Sequence, residues 1–325
     1  HQLFDSAGRG DKPLVRDKAY NEWQEATWDG AFDKMASEIK RIQDKHGKDS
    51  FAIVSTGQLM TEEFYTLGKL VRGCIGANHY DGNTTLCMAS AVSGYKRSFG
   101  SDGPPGCYDD FEHTDCFIAW GSNLPEQHPI IYWRLKEALE KRKFPLIVVD
   151  PRKTETARRA DTFLPIKVGT DVYLMLAIAA HLVQDKWVNQ RFIQQHTKDY
   201  EKIEKVLVAL DIGELANRCQ LPAVEIKQVA HDFAHAKHAS LYMDLGLEQS
   251  LFSTLTAYLY RLIPALTGQF GEGRMVFEPL FAPTDLPPEN TPSKALVSGI
   301  EAIAMYSSMG IFSYNILPEE VATHH

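Results

Sequence analysis

Cys87 lies in the stretch from Asn83 to Val92, where small and apolar residues surround a single thiol. A thiolate is a good ligand for soft metals and brings negative charge to them. A free cysteine is also often a small buried hydrophobe without reactivity. The stretch therefore predicts either a soft-metal ligand or an inert core thiol, and the loops further along the chain favour the ligand.

The composition argues against several classes of function. The chain has 325 residues, 44% of them hydrophobic, which is enough for one large or two medium domains. Its 34 basic and 42 acidic residues give a net charge of −8, which argues against nucleic acid as the main partner. No apolar run has the length of a membrane span, and the first residues show no signal-peptide pattern.

The cysteines are odd in number and widely scattered, and none forms a CxxC pair. This arrangement argues against a disulfide framework, a zinc site or an iron–sulfur cluster held by this chain alone. We expect reduced thiols in a cytoplasmic protein, with a periplasmic location left open because some exported enzymes fold before export. Neither end has the features of a natural terminus, so we expect a piece of a longer protein. The five cysteines are Cys74, Cys87, Cys107, Cys116 and Cys219.

Strands and helices alternate along the chain, which predicts an α/β fold with parallel sheets. An amphipathic helix from Asp29 to Gly47 is predicted to bury the face that carries Phe32, Met35, Ile39 and Ile42. The predicted strands are 51–55, 116–120, 146–149, 162–167 and 240–244, and the principal predicted helices are 61–72, 130–141 and 171–184, with more between 188 and 236.

These elements predict two doubly wound, mostly parallel α/β/α domains, one inserted into the other. Residues 1–82 and 284–325 would form the first, discontinuous domain. Residues 83–283 would form a dinucleotide-binding domain.

Four predicted strands of the second domain end in polar or glycine-containing loops, at the sheet edge where open α/β folds bind ligands. Gly121 would let the backbone approach a pyrophosphate, and Asp150 would accept hydrogen bonds from ribose hydroxyls. Asp171 would accept two hydrogen bonds from adjacent N–H groups of a base edge, which guanine has and adenine lacks. Each loop alone also fits an ordinary turn, helix cap or surface ion pair. Together they predict a nucleotide site, and because no G-x-G-x-x-G follows a strand, a plain NAD domain is disfavoured.

Three segments, 83–92, 101–110 and 120–123, resemble the molybdenum bis(molybdopterin guanine dinucleotide), or bis-MGD, oxidoreductases of the dimethyl sulfoxide reductase type. The similarity extends over most of the chain and is greatest to the cysteine-ligated periplasmic and assimilatory nitrate reductases. The resemblance implies that Cys87 is the protein ligand of molybdenum or tungsten, and that two pterins supply the remaining sulfur ligands.

The resemblance also implies which residues bind the cofactor. Gln58 and Asn83 match positions near the active-site pterin, and three later loops match the guanine dinucleotide loops. Leu245 replaces Met in a Met-Gly-x-x-Gln segment. The complete set is Gln58, Asn83, Cys87, Trp120, Gly121, Ser122, Asn123, Leu124, Gln127, Asp150, Pro151, Arg152, Thr154, Gly169, Thr170, Asp171, Leu245, Gly246 and Gln249.

The implied reaction is a two-electron conversion at the metal, with nitrate reduction to nitrite favoured and an electron-transfer protein as partner. Met88 stands where formate dehydrogenases place His, which favours nitrate, although Arg274 does not match the substrate-facing Arg segment of nitrate reductases.

The alternatives are a formate dehydrogenase-like enzyme, an acetylene hydratase-like hydrolyase and a cofactor-free scaffold subunit. The family's 4Fe–4S cluster would belong to a domain missing from this sequence. Groups that could orient an oxyanion or donate protons, although each also fits a surface or loop role, are Lys96, Arg97, Arg274, His79, His113 and His128.

Overall fold

Parallel strands with helices on both faces form the larger part of the protein. The computed structural model describes residues 10–17, 21–77, 79–83, 87–99 and 108–270. They form two units, one containing the described residues up to 83 and the other those from 87 onward. The segment 284–325 lies outside the described residues, so the insertion of one domain into the other stays a prediction. No helix in the described part of the chain is both long and apolar enough to cross a membrane.

The first unit contains small sheets and a long helix. Its elements are β1 (Leu14–Asp17), β2 (Glu22–Glu25), α1 (Trp28–His46), β3 (Ala52–Val54), α2 (Thr61–Gly68), a π-helical segment (Lys69–Ile75) and β4 (His79–Asp81). Strands β1 and β2 pair antiparallel, whereas β3 and β4 pair parallel. Helix α1 begins after Thr27, whose Oγ1 accepts a hydrogen bond from the Gly30 N–H, and ends at Gly47, whose φ of 88° favours glycine.

The prediction of a buried face on α1 is wrong for two of its four residues. Phe32 and Met35 are 56% and 59% exposed, while Ile39 and Ile42 are half-buried. Helical periodicity identifies an apolar stripe but not the surface that covers it. The two-stranded sheets of this unit are too small a layer to cover a 19-residue helix.

The second unit contains a four-stranded parallel sheet and its helices. Its elements are α3 (Ala89–Phe99), β5 (Cys116–Trp120), α4 (Leu124–Gln127), α5 (Pro129–Arg142), β6 (Leu146–Val149), β7 (Thr162–Leu164), α6 (Asp171–Gln184), α7 (Gln190–His196), α8 (Tyr200–Val208), α9 (Ile212–Cys219), α10 (Ala223–His235), β8 (Ala239–Met243), α11 (Leu245–Glu248) and α12 (Ser253–Thr267). The bounds of β5, β6 and α6 are those predicted, whereas β7 ends three residues earlier.

Alternate residues of β5 enter different halves of the core because successive side chains of a strand point to opposite faces. Ile118 and Trp120 pack with residues of α6, α9, α10 and α12. Phe117 and Ala119 pack with residues of α5 on the other face. Every residue of β5 and β6 is buried, as expected for strands covered on both faces. The α/β/α architecture is therefore confirmed.

The strand order is β7-β6-β5-β8. From β5 the chain moves outward through β6 to β7, and it then returns to place β8 on the other side of β5. The direction of winding therefore reverses between β5 and β8, and such a reversal opens a crevice at the carboxyl edge of the sheet.

Candidate cofactor site

The loops that follow β5 and β8 meet at this reversal point. Gly121 has a φ of 61°, and a Cβ placed on it would overlap the end of the Leu247 side chain. A Cβ on Gly246 would lie 2.7 Å from the Gly121 carbonyl oxygen. Gly246 is thus required by the close approach of the two backbones, and Gly121 by its left-handed backbone conformation. The predicted loops are brought together here as backbone against backbone.

Asp244 fixes the two loops to each other. Its Oδ2 accepts a hydrogen bond from Ser122 Oγ at 3.0 Å and lies 3.0 Å from His128 Nε2, while its Oδ1 accepts from the Leu245 N–H at 2.8 Å. The same carboxylate therefore caps α11 and holds the loop after β5. Ser122 and His128 therefore both contact the Asp244 carboxylate, so His128 has a partner within the protein.

The remaining part of the loop after β5 is held by its own neighbours. The Asn123 N–H donates to Gln127 Oε1 at 2.9 Å, and the Leu124 N–H donates to Thr156 Oγ1 at 3.1 Å. Leu124 is fully buried, so its side chain belongs to the core. Any ligand contact of Leu124 would therefore come from its backbone.

Asp150 and Asp171 are buried at the ends of the adjacent segments. Asp171 Oδ1 accepts a hydrogen bond from the fully buried Trp120 indole at 2.8 Å, and Asp150 Oδ1 accepts from the Arg152 N–H at 2.7 Å. Burial raises the pKa of both carboxyls, and the charge of Asp150 raises the pKa of Asp171 further. Each carboxyl is thus held by at least one hydrogen bond from the protein.

The other predicted residues of these two loops divide into exposed and structural positions. Pro151 and Arg152 are exposed, whereas Thr154 is buried and its Oγ1 accepts a hydrogen bond from the Ala157 N–H at 3.2 Å. Gly169 has a φ of 79°, with no atom within 4 Å of an added Cβ. Thr170 Oγ1 donates to the Lys167 carbonyl at 2.6 Å, so Thr170 closes the turn that precedes α6.

Cys87 is a half-buried free thiol just before α3. Gln249 Nε2 donates a hydrogen bond to the Cys87 carbonyl oxygen at 3.2 Å. This bond links the cysteine segment to the loop after β8, which also contains Gly246 and the partly exposed Leu245. The structure therefore brings the predicted metal ligand to the same loop that meets Gly121.

Gln58 and Asn83 belong to the first unit and contact each other. Asn83 Oδ1 accepts a hydrogen bond from the Gly57 N–H at 2.6 Å, and its Nδ2 donates to Gln58 Oε1 at 3.4 Å. Arg97 is exposed. Arg274 and the Lys96 side chain lie outside the described residues. The ligand roles of all of these residues stay predictions.

Sequence reasoning missed Asp244, Glu248 and Arg261. Asp244 follows β8 directly, as Asp150 follows β6, so its position at a strand end was a usable signal. Glu248 and Arg261 hold the backbone of Ala91, four residues after Cys87. Their partners are distant in sequence, and no local pattern identifies such pairs.

Comparison with known proteins places this arrangement in a family. A nitrate reductase of Synechocystis is 36% identical over 261 residues, and a periplasmic nitrate reductase of Desulfovibrio desulfuricans is 34% identical over 279 residues. The alignments cover 80% and 82% of this chain and 37% of each relative. The chain thus spans a little over one third of the length of these curated relatives.

A solved structure shares the fold. Acetylene hydratase from Pelobacter acetylenicus superposes with a TM-score of 0.66 at 24% sequence identity, over 81% of this chain and 36% of that protein. The family model for molybdopterin oxidoreductases matches residues 9–320, nearly the whole sequence. The chain therefore belongs to the molybdopterin oxidoreductase family.

Proposed function

We propose that this chain is the cofactor-binding part of a molybdenum- or tungsten-dependent oxidoreductase that reduces nitrate to nitrite, with Cys87 as the protein ligand of the metal. The observation that carries the proposal is the junction at the β5–β8 reversal point. There Gly121 meets Gly246, and Gln249 of the same loop holds the Cys87 carbonyl oxygen. The Cys87 backbone and the Gly121–Gly246 junction are thereby attached to one loop.

The donors and acceptors along this edge suit a pterin guanine dinucleotide, and we propose the bis-MGD form. Gly169, which has no atom within 4 Å of an added Cβ, would admit a phosphate group close to its backbone, whereas the Cβ side of Gly121 is filled by Leu247 and Gly246. Asp150 would accept hydrogen bonds from ribose hydroxyls, and Asp171 would accept from the guanine edge with the oxygen that Trp120 does not occupy.

When bound, the molybdenum–pterin group supplies the two-electron chemistry. Cys87 would bind as the thiolate, because metal coordination requires the deprotonated form. Two electrons and two protons convert nitrate to nitrite and water, and we propose that a separate electron-transfer protein supplies the electrons. Gln249 would keep the Cys87 backbone in place during this reaction. Met88 and the nitrate reductases among the relatives favour nitrate over formate.

Two features of the whole protein belong to the same proposal. We place the 4Fe–4S cluster outside this chain. We also propose a cytoplasmic location, with the periplasm as the alternative, since the relatives include proteins named periplasmic and assimilatory nitrate reductases.

The test is Cys87→Ala in the full-length protein, with Cys74→Ala as the matched control because Cys74 is an exposed thiol of the first unit. Cys87→Ala should lower nitrate reduction with reduced viologen by more than about 100-fold, since even groups that only support a metal ligand contribute 10- to 100-fold. Metal content and activity of Cys74→Ala should equal those of the wild type.

Full metal content and activity in Cys87→Ala would contradict the ligand assignment. Assays of the unmodified protein with formate and with acetylene decide the reaction. Turnover of either one, without turnover of nitrate, would replace the proposed substrate.

A further inference from the structure

A buried arginine and a half-buried glutamate lie against the helix that follows Cys87. Arg261, on α12, is 1% exposed, and Glu248 ends α11. Building on the proposed function, we propose that Glu248 and Arg261 are positioning residues, which hold the Ala91 backbone and thereby fix the Cys87 end of α3 against α11 and α12.

The two side chains hold opposite sides of one residue. The Ala91 N–H donates a hydrogen bond to the Glu248 carboxylate, and the Ala91 carbonyl oxygen accepts one from Arg261 Nη2 at 3.3 Å. Arg261 Nη1 also donates to the Ala257 carbonyl of its own helix. Because a charged side chain bonds each polar group of Ala91, this turn of α3 is restrained in both directions along the helix axis.

Gly94 makes room for this arrangement. A Cβ on Gly94 would lie 2.9 Å from Arg261 Nη1 and 3.1 Å from the Ala257 Cβ. The guanidinium therefore occupies the space that a larger residue on α3 would fill. Helices α3 and α12 pack closely around it.

Two further contacts extend the restraint toward the cysteine. The hydroxyls of Ser90 and Ser253 lie 2.7 Å apart, and Gln249 holds the Cys87 carbonyl oxygen. Four residues between 248 and 261 thus contact the segment from Cys87 to Ala91. A metal–thiolate bond depends on the direction of the Cys87 side chain, so a fixed backbone at this place serves the proposed ligand directly.

Core packing alone does not account for the choice of these residues. Burying a guanidinium or a carboxylate is costly, and apolar residues of similar volume commonly stabilise a core as well or better. The charged groups of Glu248 and Arg261 instead form hydrogen bonds with the N–H and the carbonyl oxygen of Ala91. If these residues only stabilised the core, replacing them would loosen the packing throughout the second unit. If they position Cys87, replacing them should expose Cys87 before the buried core cysteines.

The experiment measures alkylation of each cysteine by iodoacetamide in Glu248→Ala, Glu248→Gln and the unmodified chain, with peptides resolved by mass spectrometry. Loss of one hydrogen bond to a charged group corresponds to about a tenfold change in local opening, so Cys87 alkylation should rise by about tenfold in Glu248→Ala. Glu248→Gln keeps an acceptor for the Ala91 N–H, so its increase should be smaller. Glu225→Ala, an exposed glutamate of α10, is the matched control and should leave Cys87 unchanged.

Three other cysteines act as internal reporters. Cys74 is exposed and reports the intrinsic reaction rate, whereas Cys116 and Cys219 are buried, and burial raises the pKa of their thiols to about 12 and about 11. A selective rise at Cys87 supports the proposal. An unchanged Cys87 rate overturns it, as does a parallel rise at Cys116 and Cys219, which would mean general loosening of the core. If Glu248→Ala fails to fold, Glu248→Leu, which fills a similar space without an acceptor for the Ala91 N–H, decides the matter by the same criteria.

A second measurement separates this inference from the proposed function. In the metal-loaded full-length protein, Glu248→Ala should change the electron paramagnetic resonance signal of the metal, whereas Glu225→Ala should not. If Cys87→Ala retains metal and an unaltered signal, the ligand assignment fails whatever the alkylation shows. If Cys87→Ala loses the signal but Glu248→Ala leaves both the signal and Cys87 alkylation unchanged, only the positioning inference fails.

Discussion

Carboxyl groups that are buried or half-buried recur near the ends of the parallel strands, each with a different donor. Trp120 bonds Asp171, the Arg152 N–H bonds Asp150, and Ser122 bonds Asp244. At residue scale the candidate site is therefore a row of carboxylate acceptors, each held by a donor of the protein. The indole bond to Asp171 can be tested without any cofactor.

Trp120→Phe should lower the free energy of unfolding by about 2–4 kcal/mol, because it removes a hydrogen bond to a buried carboxylate and leaves a cavity in the core. Urea unfolding of the chain measures this loss. Trp133→Phe is the control, since Trp133 on α5 is 65% exposed and its replacement should cost less than about 0.5 kcal/mol. Equal losses in the two variants would contradict the role of the indole.

Glu248 gives a pH dependence whose sign follows from its surroundings. Burial raises its pKa to about 7, while the Ala91 N–H and the Arg261 charge lower it and the Asp244 charge raises it. Its Oε2 has no hydrogen-bond partner among the described residues. Between pH 4.5, the ordinary pKa of a glutamate, and pH about 7, Glu248 is therefore protonated in the folded state and ionised in the unfolded chain.

The stabilisation from this proton is complete below pH 4.5 and is lost as the pH rises through about 7. The wild type should therefore lose about 1–2 kcal/mol more stability between pH 5 and pH 8 than Glu248→Gln, after allowance for solvent screening of a partly exposed group. Urea titrations at both pH values measure the difference. Identical pH profiles would show that Glu248 has an ordinary pKa.

At the scale of elements, the parts that local pattern determines were predictable. The continuous apolar runs of β5 and β6 gave their bounds, because strands covered on both faces need apolar residues throughout. The burial of α1 was not predictable, because it depends on which surface faces the helix. The loops that contain Gly121 and Asp171 could be predicted, because each follows a strand whose apolar run is visible in the sequence. The Gly121–Gly246 junction could not, since it depends on β8 pairing beside β5.

Gly246→Ala tests that junction. The added methyl would lie 2.7 Å from the Gly121 carbonyl oxygen, and backbone atoms cannot move aside as a flexible side chain can. We expect a loss of about 1–3 kcal/mol in the free energy of unfolding of the second unit, typical of overpacking. Gly213→Ala on α9 is the control, because its nearest atom is the Asp211 carboxylate oxygen at 3.2 Å, which has to move by only a few tenths of an ångström. A neutral Gly246→Ala would mean that the two loops separate easily.

At the scale of the whole molecule, the two units differ greatly in core. Within the described residues, the fully buried apolar side chains of the first unit are Val71 and Ala77, whereas the second unit has an extensive core on each face of its sheet. Apolar burial is the main favourable term in folding. The loops proposed to bind the dinucleotide therefore lie on the better-packed unit, where a rigid scaffold would position them.

This difference predicts unequal local stability. In native-state hydrogen exchange, amides of β5, β6 and α6 should be protected at least about 100-fold more than those of β1, β2 and α1, because regions with few buried apolar contacts open at lower free energy. The short strands of the first unit provide an internal comparison within the same sample, at the same pH and temperature. Equal protection in both units would show that they unfold together as one cooperative body, and the distribution of buried apolar side chains would then not govern local opening in this chain.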